Sequence, residues 1–254
     1  MDTNLTIPRV NADRWRLQID GMVRGPMTLT YRELLAMPMI ERDITLTCVS
    51  NEVGGGYVGA ARWQGVRLAD LLDRVGVRSG ADQLLSTAVD GFTIGTPMKV
   101  VRDGRDAMIA VGMNGRPLPA AHGFPARIVI PGLYGFVSAT KWLTKLTATT
   151  YARDVSYWTG RDWATDAPIK MSARVDTPRP LSTIKAGTTA VGGVAWAQRI
   201  GIAAVEVSID GGPWRKATLG PDAGLDYWRQ WYLPWKATPG RHALAVGRPT
   251  ARAP

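Results

Sequence analysis

The sequence predicts an α+β fold in its first part and an all-β unit in its second. Glycine (28) and proline (17) are so frequent among the 254 residues that long helices have little room. The first 150 residues mix one helical leucine spacing with several short apolar runs. Beyond about residue 150 helical periodicity disappears, and seven of the ten tryptophans lie from Trp158 to Trp235. At a typical 150 residues per domain, this length allows one large domain or two smaller ones.

The first elements follow from local chemistry. RWRLQID (14–20) is typical of a strand. Thr30 and Glu33 have the spacing of a capping box, which predicts a short helix that stops before Pro38. RDITLTCV (42–49) alternates well enough to be another strand, with Cys48 on the face of Ile44 and Leu46.

A second helix is predicted over 66–76. Leu68, Leu71, Leu72 and Val75 share one helical face, and Gly76 supplies the stop. Further apolar runs at 84–89, 107–111, 127–130 and 143–149 are bounded by Gly, Pro or Asn. Together these segments indicate the mixture of short helices and strands that defines the α+β class.

The second half is predicted to be strands only. AVEVSI (204–209), the turn DGG (210–212) and PWRKATL (213–219) predict a hairpin, and 227–235 and 242–246 add two strands. The predicted domains are therefore 1–163, a linker over 164–180, and a β-sandwich over 181–254. The chain ends in a Pro/Arg tail after residue 246, so we expect the last strands of the sandwich to be missing.

Composition narrows the function classes. The net charge is +10, carried by 24 arginines and 7 lysines that are scattered singly, so the sequence predicts no nucleic-acid binding. No stretch approaches ~18 apolar residues and the N-terminal sequence lacks an apolar signal region, so neither a membrane span nor a signal peptide is predicted. The single cysteine excludes an internal disulfide and leaves the redox compartment open.

Common catalytic motifs are absent from the sequence or lack their context. GGGYVG (54–59) matches a dinucleotide fingerprint, but no helix is predicted after it, so we interpret its glycines as a turn that lets the backbone approach another group. His122 and His242 have no ligand-pair spacing for zinc. The serine-hydrolase elbow and the haem-attachment motif do not occur.

One set of motifs, taken in order, is distinctive. Cys48 is followed at three residues by Asn51, then come the glycine cluster, ARWQGVRLADLL (61–72) and MNGRPLPAAHGFPARIVIPGLYGFVSATKWLTKL (113–146). In this order the chain resembles the sulfite oxidase family of molybdenum oxidoreductases. The resemblance runs over essentially the whole chain, and the Cys…Asn pair and HGFPAR…PG…KW carry it.

The resemblance implies a molybdenum–molybdopterin cofactor (Moco) with the thiolate of Cys48 as the protein ligand, which suits a soft-ligand metal. It implies that His122, Arg127, Ser138 and Lys141 hold the pterin and its phosphate. Asn51, Trp163 and the glycine loop would border the cofactor on its substrate side, with Cys48 and Trp163 as the catalytic residues. Without the resemblance, Cys48 reads as a small buried hydrophobe, His122 as a loop histidine and Arg127 as a surface charge.

The chain departs from the family at three places. Met1 falls where the sulfite-oxidising members carry an arginine motif, and Glu52 stands where they have an arginine. Their active-site Asp-Tyr pair falls on Asp162 and Trp163, so an indole replaces a phenol. We therefore expect poor sulfite oxidation and a neutral or more apolar oxo-substrate, such as a sulfoxide.

The resemblance also implies a function and partners. The chain would transfer an oxygen atom and two electrons to or from a small oxo-substrate, and a separate redox partner (a cytochrome, a quinone-linked protein or a membrane domain) would exchange the electrons. The second unit would be an immunoglobulin-like dimerisation domain, which implies a homodimer. The alternative is a truncated or cofactor-free relative that acts as a binding or assembly module. The resemblance further implies an extracytoplasmic location, as the water-exposed part of a membrane-tethered protein.

Overall fold

The computed structural model describes the backbone of residues 6–251 and the side chains up to residue 247. Strands make up 43% of the chain and helices 11%, so the predicted α+β class is wrong and the chain is almost entirely β-sheet. The apolar runs at 84–89, 107–111, 127–130 and 143–149 all lie on strands. Short apolar runs do not distinguish a buried strand from a buried helix, and frequent turns here keep each run at strand length.

The α-helices have only five, eight and four residues. α1 begins after the capping box predicted at Thr30, whose hydroxyl accepts from the Glu33 amide. α2 ends at Gly76, which adopts the left-handed conformation at φ +63°. Both helix predictions are confirmed. Within the described residues, no helix has the length and apolar character needed to cross a membrane.

The chain divides into two compact units. The first comprises the residues up to Arg42, Leu46–Val49 and Ala61–Pro168, and the second comprises Asp43–Thr45, Ser50–Ala60 and the chain from Ile169 onward. The elements up to the end of the first unit are β1 (Arg16–Gly21), β2 (Met27–Thr30), α1 (Tyr31–Leu35), β3 (Met39–Thr47), β4 (Val58–Arg67), α2 (Leu68–Val75), β5 (Gln83–Ala88), β6 (Thr93–Pro97), α3 (Met98–Val101), β7 (Met108–Met113), β8 (Arg116–Pro117), β9 (Arg127–Val129) and β10 (Leu143–Thr149).

Two sheets carry these strands. One has the order β2-β1-β10-β5-β6, with β1 and β10 parallel and the other pairs antiparallel. The other has the order β3-β4-β7-β8, and β9 also pairs with β7. Fully buried leucine and isoleucine side chains from both sheets and both longer helices form one core: Leu17, Ile19, Leu34, Leu68, Leu71, Leu72, Leu84, Ile109, Ile128 and Ile130. This core fixes the turns between the strands, where the candidate site lies.

The second unit contains β11 (Ser172–Thr177), β12 (Gly187–Trp196), β13 (Ile202–Ile209), β14 (Arg215–Lys216), β15 (Thr218–Leu219), β16 (Arg229–Ala237) and β17 (Leu244–Ala251). They form two antiparallel sheets, β11-β12-β16-β15 and β14-β13-β17. Val191, Trp231 and Leu233 from the first sheet and Val205 and Val207 from the second share one core.

Three sequence predictions differ from this arrangement. β11 lies inside 164–180, predicted as linker, because Ala173 and Val175 pack against the core. PWRKATL is two strands, because the buried Ala217 separates a part that pairs with β13 from a part that pairs with β16. β17 continues to Ala251 where a Pro/Arg tail was predicted. Residues 252–254 of that predicted tail, and Met1, lie outside the described residues.

Candidate cofactor and metal-ligand site

Cys48 lies directly after β3. The strand was predicted over 42–49, but β3 ends at Thr47, so Cys48 lies just outside it. The cysteine is partly exposed. Partial exposure is what a ligand thiol needs, and the interpretation as a buried hydrophobe does not predict it. Thr47 is 4% exposed, and its Oγ1 has no hydrogen-bond partner among the described residues. A buried hydroxyl without a partner, in the residue before the cysteine, is typical of a position that faces a bound group.

The HGFPAR motif forms a tight turn at which the backbone segments of three basic residues come together. His122 ends the 3₁₀ turn Ala120–His122 and is exposed. Gly123 follows at φ +103°, and a Cβ there would lie 3.0 Å from the Lys141 Cα and 3.2 Å from the Arg127 Cβ. Only glycine combines this φ with so close an approach, so it allows His122, Arg127 and Lys141 to meet.

Arg127 is buried, with 3% exposure, so the interpretation as a surface charge is wrong. Its Nη1 donates to the His122 carbonyl at 3.2 Å and its Nη2 to the Ala139 carbonyl at 3.4 Å. Its guanidinium carbon lies 5.0 Å from the ring centroid of Trp63, within cation–π range. The segment ARWQGV, which contains Trp63, contributes to the family resemblance. The sequence alone assigns Trp63 no role, because a contact between side chains on different strands leaves no local signal.

Lys141 and Ser138 approach the same turn differently. The Lys141 Nζ donates to the Ala121 carbonyl at 2.7 Å and lies 5.5 Å from the Trp142 ring centroid. Ser138 is 1% exposed, and its hydroxyl donates to the Leu133 and Tyr134 carbonyls at 3.0 and 2.9 Å. The lysine thus lies beside His122, whereas the serine hydroxyl is directed back into its own turn.

A 3₁₀ turn, Gly135–Val137, connects the cysteine end of the site with Trp163. A Cβ at Gly135 would lie 3.8 Å from the Thr47 carbonyl oxygen. The Phe136 ring packs edge-on against Trp163 with centroids 4.9 Å apart, and Trp163 lies 4.3 Å from Trp158. Phe136 and Trp158, which sequence reasoning missed, therefore form an aromatic wall with Trp163.

Asn51 belongs to the second unit and organises the glycine loop there. Its Oδ1 accepts from the Tyr57 amide at 2.8 Å, and the Glu52 carbonyl accepts from the Gly55 amide at 2.9 Å. Strand β4 begins at Val58, so no helix follows the glycines and a dinucleotide site is excluded. Position 54 favours glycine, because its φ of +76° is one that other residues rarely adopt. Within the described chain nothing lies within 4 Å of a Cβ at Gly54, but a Cβ at Gly55 would lie 2.9 Å from the Glu52 carbonyl oxygen and 3.0 Å from the Asn51 Oδ1, so the predicted close backbone approach occurs at Gly55.

The residues of the first unit fit an anionic, metal-bearing cofactor. A partly exposed thiol and an orphaned buried hydroxyl lie at one end, and histidine, arginine and lysine meet at one turn. Cationic donors of this kind bind phosphate groups through charge-assisted hydrogen bonds. His242 belongs to the second unit, where its ring nitrogen lies 2.7 Å from the Asp210 carboxylate. Within the described residues, no group of three or more His, Cys, Asp or Glu side chains could hold a metal on its own.

Comparison with known proteins identifies the class. Residues 4–158 match the family model of the oxidoreductase molybdopterin binding domain, which is more than half of the chain. The chain therefore belongs to this family, and its cofactor is the molybdenum–molybdopterin cofactor. This membership favours a cofactor-binding oxidoreductase over the cofactor-free module.

Several relatives agree with this assignment. Mitochondrial sulfite oxidase of Homo sapiens is 28% identical over 290 residues, covering 96% of this chain and 53% of the relative. The uncharacterized oxidoreductase YuiH of Bacillus subtilis is 35% identical over 130 residues, 51% of this chain and 63% of that protein. The chain spans about half the length of the sulfite oxidases it matches.

A solved structure shares the fold. The sulfane dehydrogenase SoxCD from Paracoccus pantotrophus superposes with a TM-score of 0.79 at 24% identity, over 91% of this chain and 66% of that chain. At this identity the likeness shows the fold alone. It agrees with the largely β architecture described above.

Proposed function

We propose that this chain is the cofactor-binding part of an oxidoreductase that transfers an oxygen atom and two electrons to or from a small oxo-substrate. The observation that supports this proposal is the Gly135–Val137 turn. A Cβ at Gly135 would lie 3.8 Å from the Thr47 carbonyl oxygen, Phe136 packs against Trp163 of the aromatic wall, and the turn leads into Ala139, whose carbonyl accepts from Arg127. The cofactor, when bound, supplies the redox chemistry. The protein holds it, orients it and shapes the substrate side.

Cys48 is assigned as the metal ligand, because its thiol is a partly exposed soft donor and the residue before it carries a buried hydroxyl without a partner. His122, Arg127 and Lys141 are assigned to the pterin and its phosphate. Ser138 was predicted to join them, but its hydroxyl donates to carbonyls, so its proposed contribution is to fix the turn that carries Ala139.

The substrate side is proposed to be apolar. Trp163, held between Phe136 and Trp158, presents an indole where sulfite-oxidising relatives are expected to have a phenol. A neutral oxo-substrate such as a sulfoxide suits this wall better than a small dianion, which needs charged or ionisable donors.

The domain assignment is proposed as 1–163 for the cofactor, 164–180 as a connection that also supplies strand β11 to the second unit, and 181–254 as an immunoglobulin-like domain used for homodimerisation. Two antiparallel sheets that share one core support this class of fold. A separate redox partner, a cytochrome, quinone-linked protein or membrane domain, is proposed to exchange electrons with the cofactor, one or two at a time.

Substitution of Arg127 by alanine tests the cofactor assignment. The chain is produced in a host that makes the pterin cofactor, and molybdenum per chain is measured during extensive dialysis. Loss of a charge-assisted contact of roughly 1.5–3 kcal/mol is expected to weaken retention by about tenfold or more. Arg78→Ala is the matched control, because Arg78 also donates to a backbone carbonyl, that of Val23. Equal retention in wild type and Arg127→Ala protein overturns the assignment.

A further inference from the structure

Arg127 is a buried charged residue whose guanidinium is held by several groups of the protein. A guanidinium with 3% exposure has lost its hydration, and this loss is costly unless fixed partners replace the water. Carbonyl partners on two turns, those of His122 and Ala139, hold its edge. The guanidinium carbon lies over the Trp63 ring, 5.0 Å from its centroid. The guanidinium is therefore constrained both by backbone carbonyls and by an aromatic ring.

The sheet explains why Trp63 can reach Arg127. Ala110 on the middle strand β7 lies opposite Gly65 of β4 and also opposite Arg127 of β9. Directly opposed residues share a sheet face, and Trp63 is two residues from Gly65, so Trp63 and Arg127 point to the same face. The residues between them are Gly65, which has no side chain, and Ala110, whose methyl group is too small to separate the indole from the guanidinium.

Position 65, between Trp63 and Arg127 on this sheet face, requires glycine. A Cβ there would lie 2.2 Å from the Ile109 carbonyl oxygen and 2.6 Å from the Ala110 Cα. The strands therefore approach closely just beside the stack. The register shift between Gln64 and Gly65 occurs at the same point and places Met113 opposite Trp63. The stack is thus a consequence of local strand geometry and not of a flexible surface contact.

We propose that Trp63 is a positioning residue, which holds the Arg127 guanidinium in the orientation that binds the anionic end of the pterin cofactor. This inference rests on the proposed cofactor role of Arg127. Stacking restricts the rotation of the guanidinium plane, so its N–H groups are aimed before the cofactor arrives. Trp63 itself need not touch the cofactor.

The first test compares Trp63→Phe with Trp63→Leu in cofactor-loaded protein, with the rate of molybdenum loss on dialysis as the readout. Leucine removes the π-face, and we expect loss about tenfold faster than in wild type; phenylalanine keeps a face and is expected to restore most of the retention. Trp15→Leu is the control, because Trp15 is equally buried at 3% in the core of the same unit. It should lower the unfolding midpoint without faster loss of molybdenum.

The second test is a double-mutant cycle. If Trp63 acts through Arg127, Trp63→Leu adds nothing to the loss rate of the Arg127→Ala variant. Additive effects, or Phe and Leu variants that lose molybdenum equally fast, would show a merely structural role and overturn the inference. If Arg127→Ala speeds loss and Trp63→Leu does not, this inference alone fails. If neither substitution speeds loss, the proposed role of Arg127 fails with it.

Discussion

Among single residues, Cys48 has the most specific proposed role, that of the metal ligand. Cys48→Ser barely changes side-chain volume, and the partly exposed position tolerates a hydroxyl, so the fold should persist. A hydroxyl is a far poorer donor to a soft-ligand metal than a thiolate, so turnover should be abolished. Circular dichroism and steady-state assays of the loaded protein check both statements. Retained activity would contradict the assignment of Cys48 as ligand.

Gly123 is the residue on which the basic cluster depends. Gly123→Ala puts a side chain at φ +103° and 3.0 Å from Lys141, and it is expected to destabilise the chain by about 1–3 kcal/mol and to speed cofactor loss. Gly91→Ala is the matched control, since Gly91 has φ +82° but nothing within 4 Å of its Cβ position. Denaturant unfolding and molybdenum retention separate strain from contact. Equal cofactor loss in both variants would contradict the role of Gly123.

The His242–Asp210 pair predicts a pH dependence for the second unit. The imidazole lies 2.7 Å from the Asp210 carboxylate and 2.9 Å from the Thr238 carbonyl, both acceptors, which favours the doubly protonated ring. The hydrogen bond with Asp210 raises the pKa of His242, and the same bond lowers the pKa of Asp210. Each shift stabilises the fold when its group is charged.

The pair should therefore stabilise the fold fully below the unfolded histidine pKa of about 6.5, and this contribution should be lost as pH rises through the raised folded pKa. On the acid side, the contribution of Asp210 is present above its unfolded pKa of about 3.9 and is lost as pH falls through the lowered folded pKa. Denaturant unfolding of wild type and His242→Gln across pH checks this. An unchanged difference between the two proteins from pH 5 to about pH 9 would contradict it.

At the scale of elements, the aromatic wall predicts the response to sulfite. Because an indole stands at position 163 in place of a phenol, the site is expected to bind sulfite about tenfold or more weakly than a site with tyrosine there, at roughly 1.5–3 kcal/mol for the lost contact. Trp163→Tyr should restore about tenfold, and Trp158→Tyr, at the neighbouring ring of the wall, should not. Kinetics with sulfite and a dye acceptor check this. A micromolar Michaelis constant for sulfite in the wild type would contradict the prediction.

Helices and strands could be predicted from the sequence where the interactions that define them are local. α1 and α2 could be predicted because a capping box and a terminal glycine act within a few residues. The run at 127–130 could not be assigned as strand or helix, because its conformation is set by pairing with β7. The division of 213–219 between two sheets likewise depends on partners distant in the sequence.

The candidate site shows the same division. Motif order singled out Cys48, His122, Arg127 and Lys141, because sequence carries residue type and spacing directly. It could not show that Arg127 is buried against Trp63, since that contact spans two strands. It also placed the Ser138 hydroxyl at the phosphate, whereas local hydrogen bonds direct it to the Leu133 and Tyr134 carbonyls.

For the whole molecule, the net charge and the family membership both favour binding of an anionic cofactor. A net charge of +10 favours the approach of anionic groups to the protein, an effect that salt weakens. The family match covers residues 4–158 and leaves most of the second unit outside it. The chemistry is accordingly assigned to the first unit, and the second is proposed to serve association.

The most direct test of the central claim is the molybdenum content of the purified chain, produced in a host that makes the pterin cofactor. The site in the first unit predicts about one molybdenum per chain, with pterin in equal amount, and lower retention in the Arg127→Ala variant. Only a sub-stoichiometric trace of molybdenum in the well-folded wild-type chain would contradict the claim and favour a cofactor-free binding module.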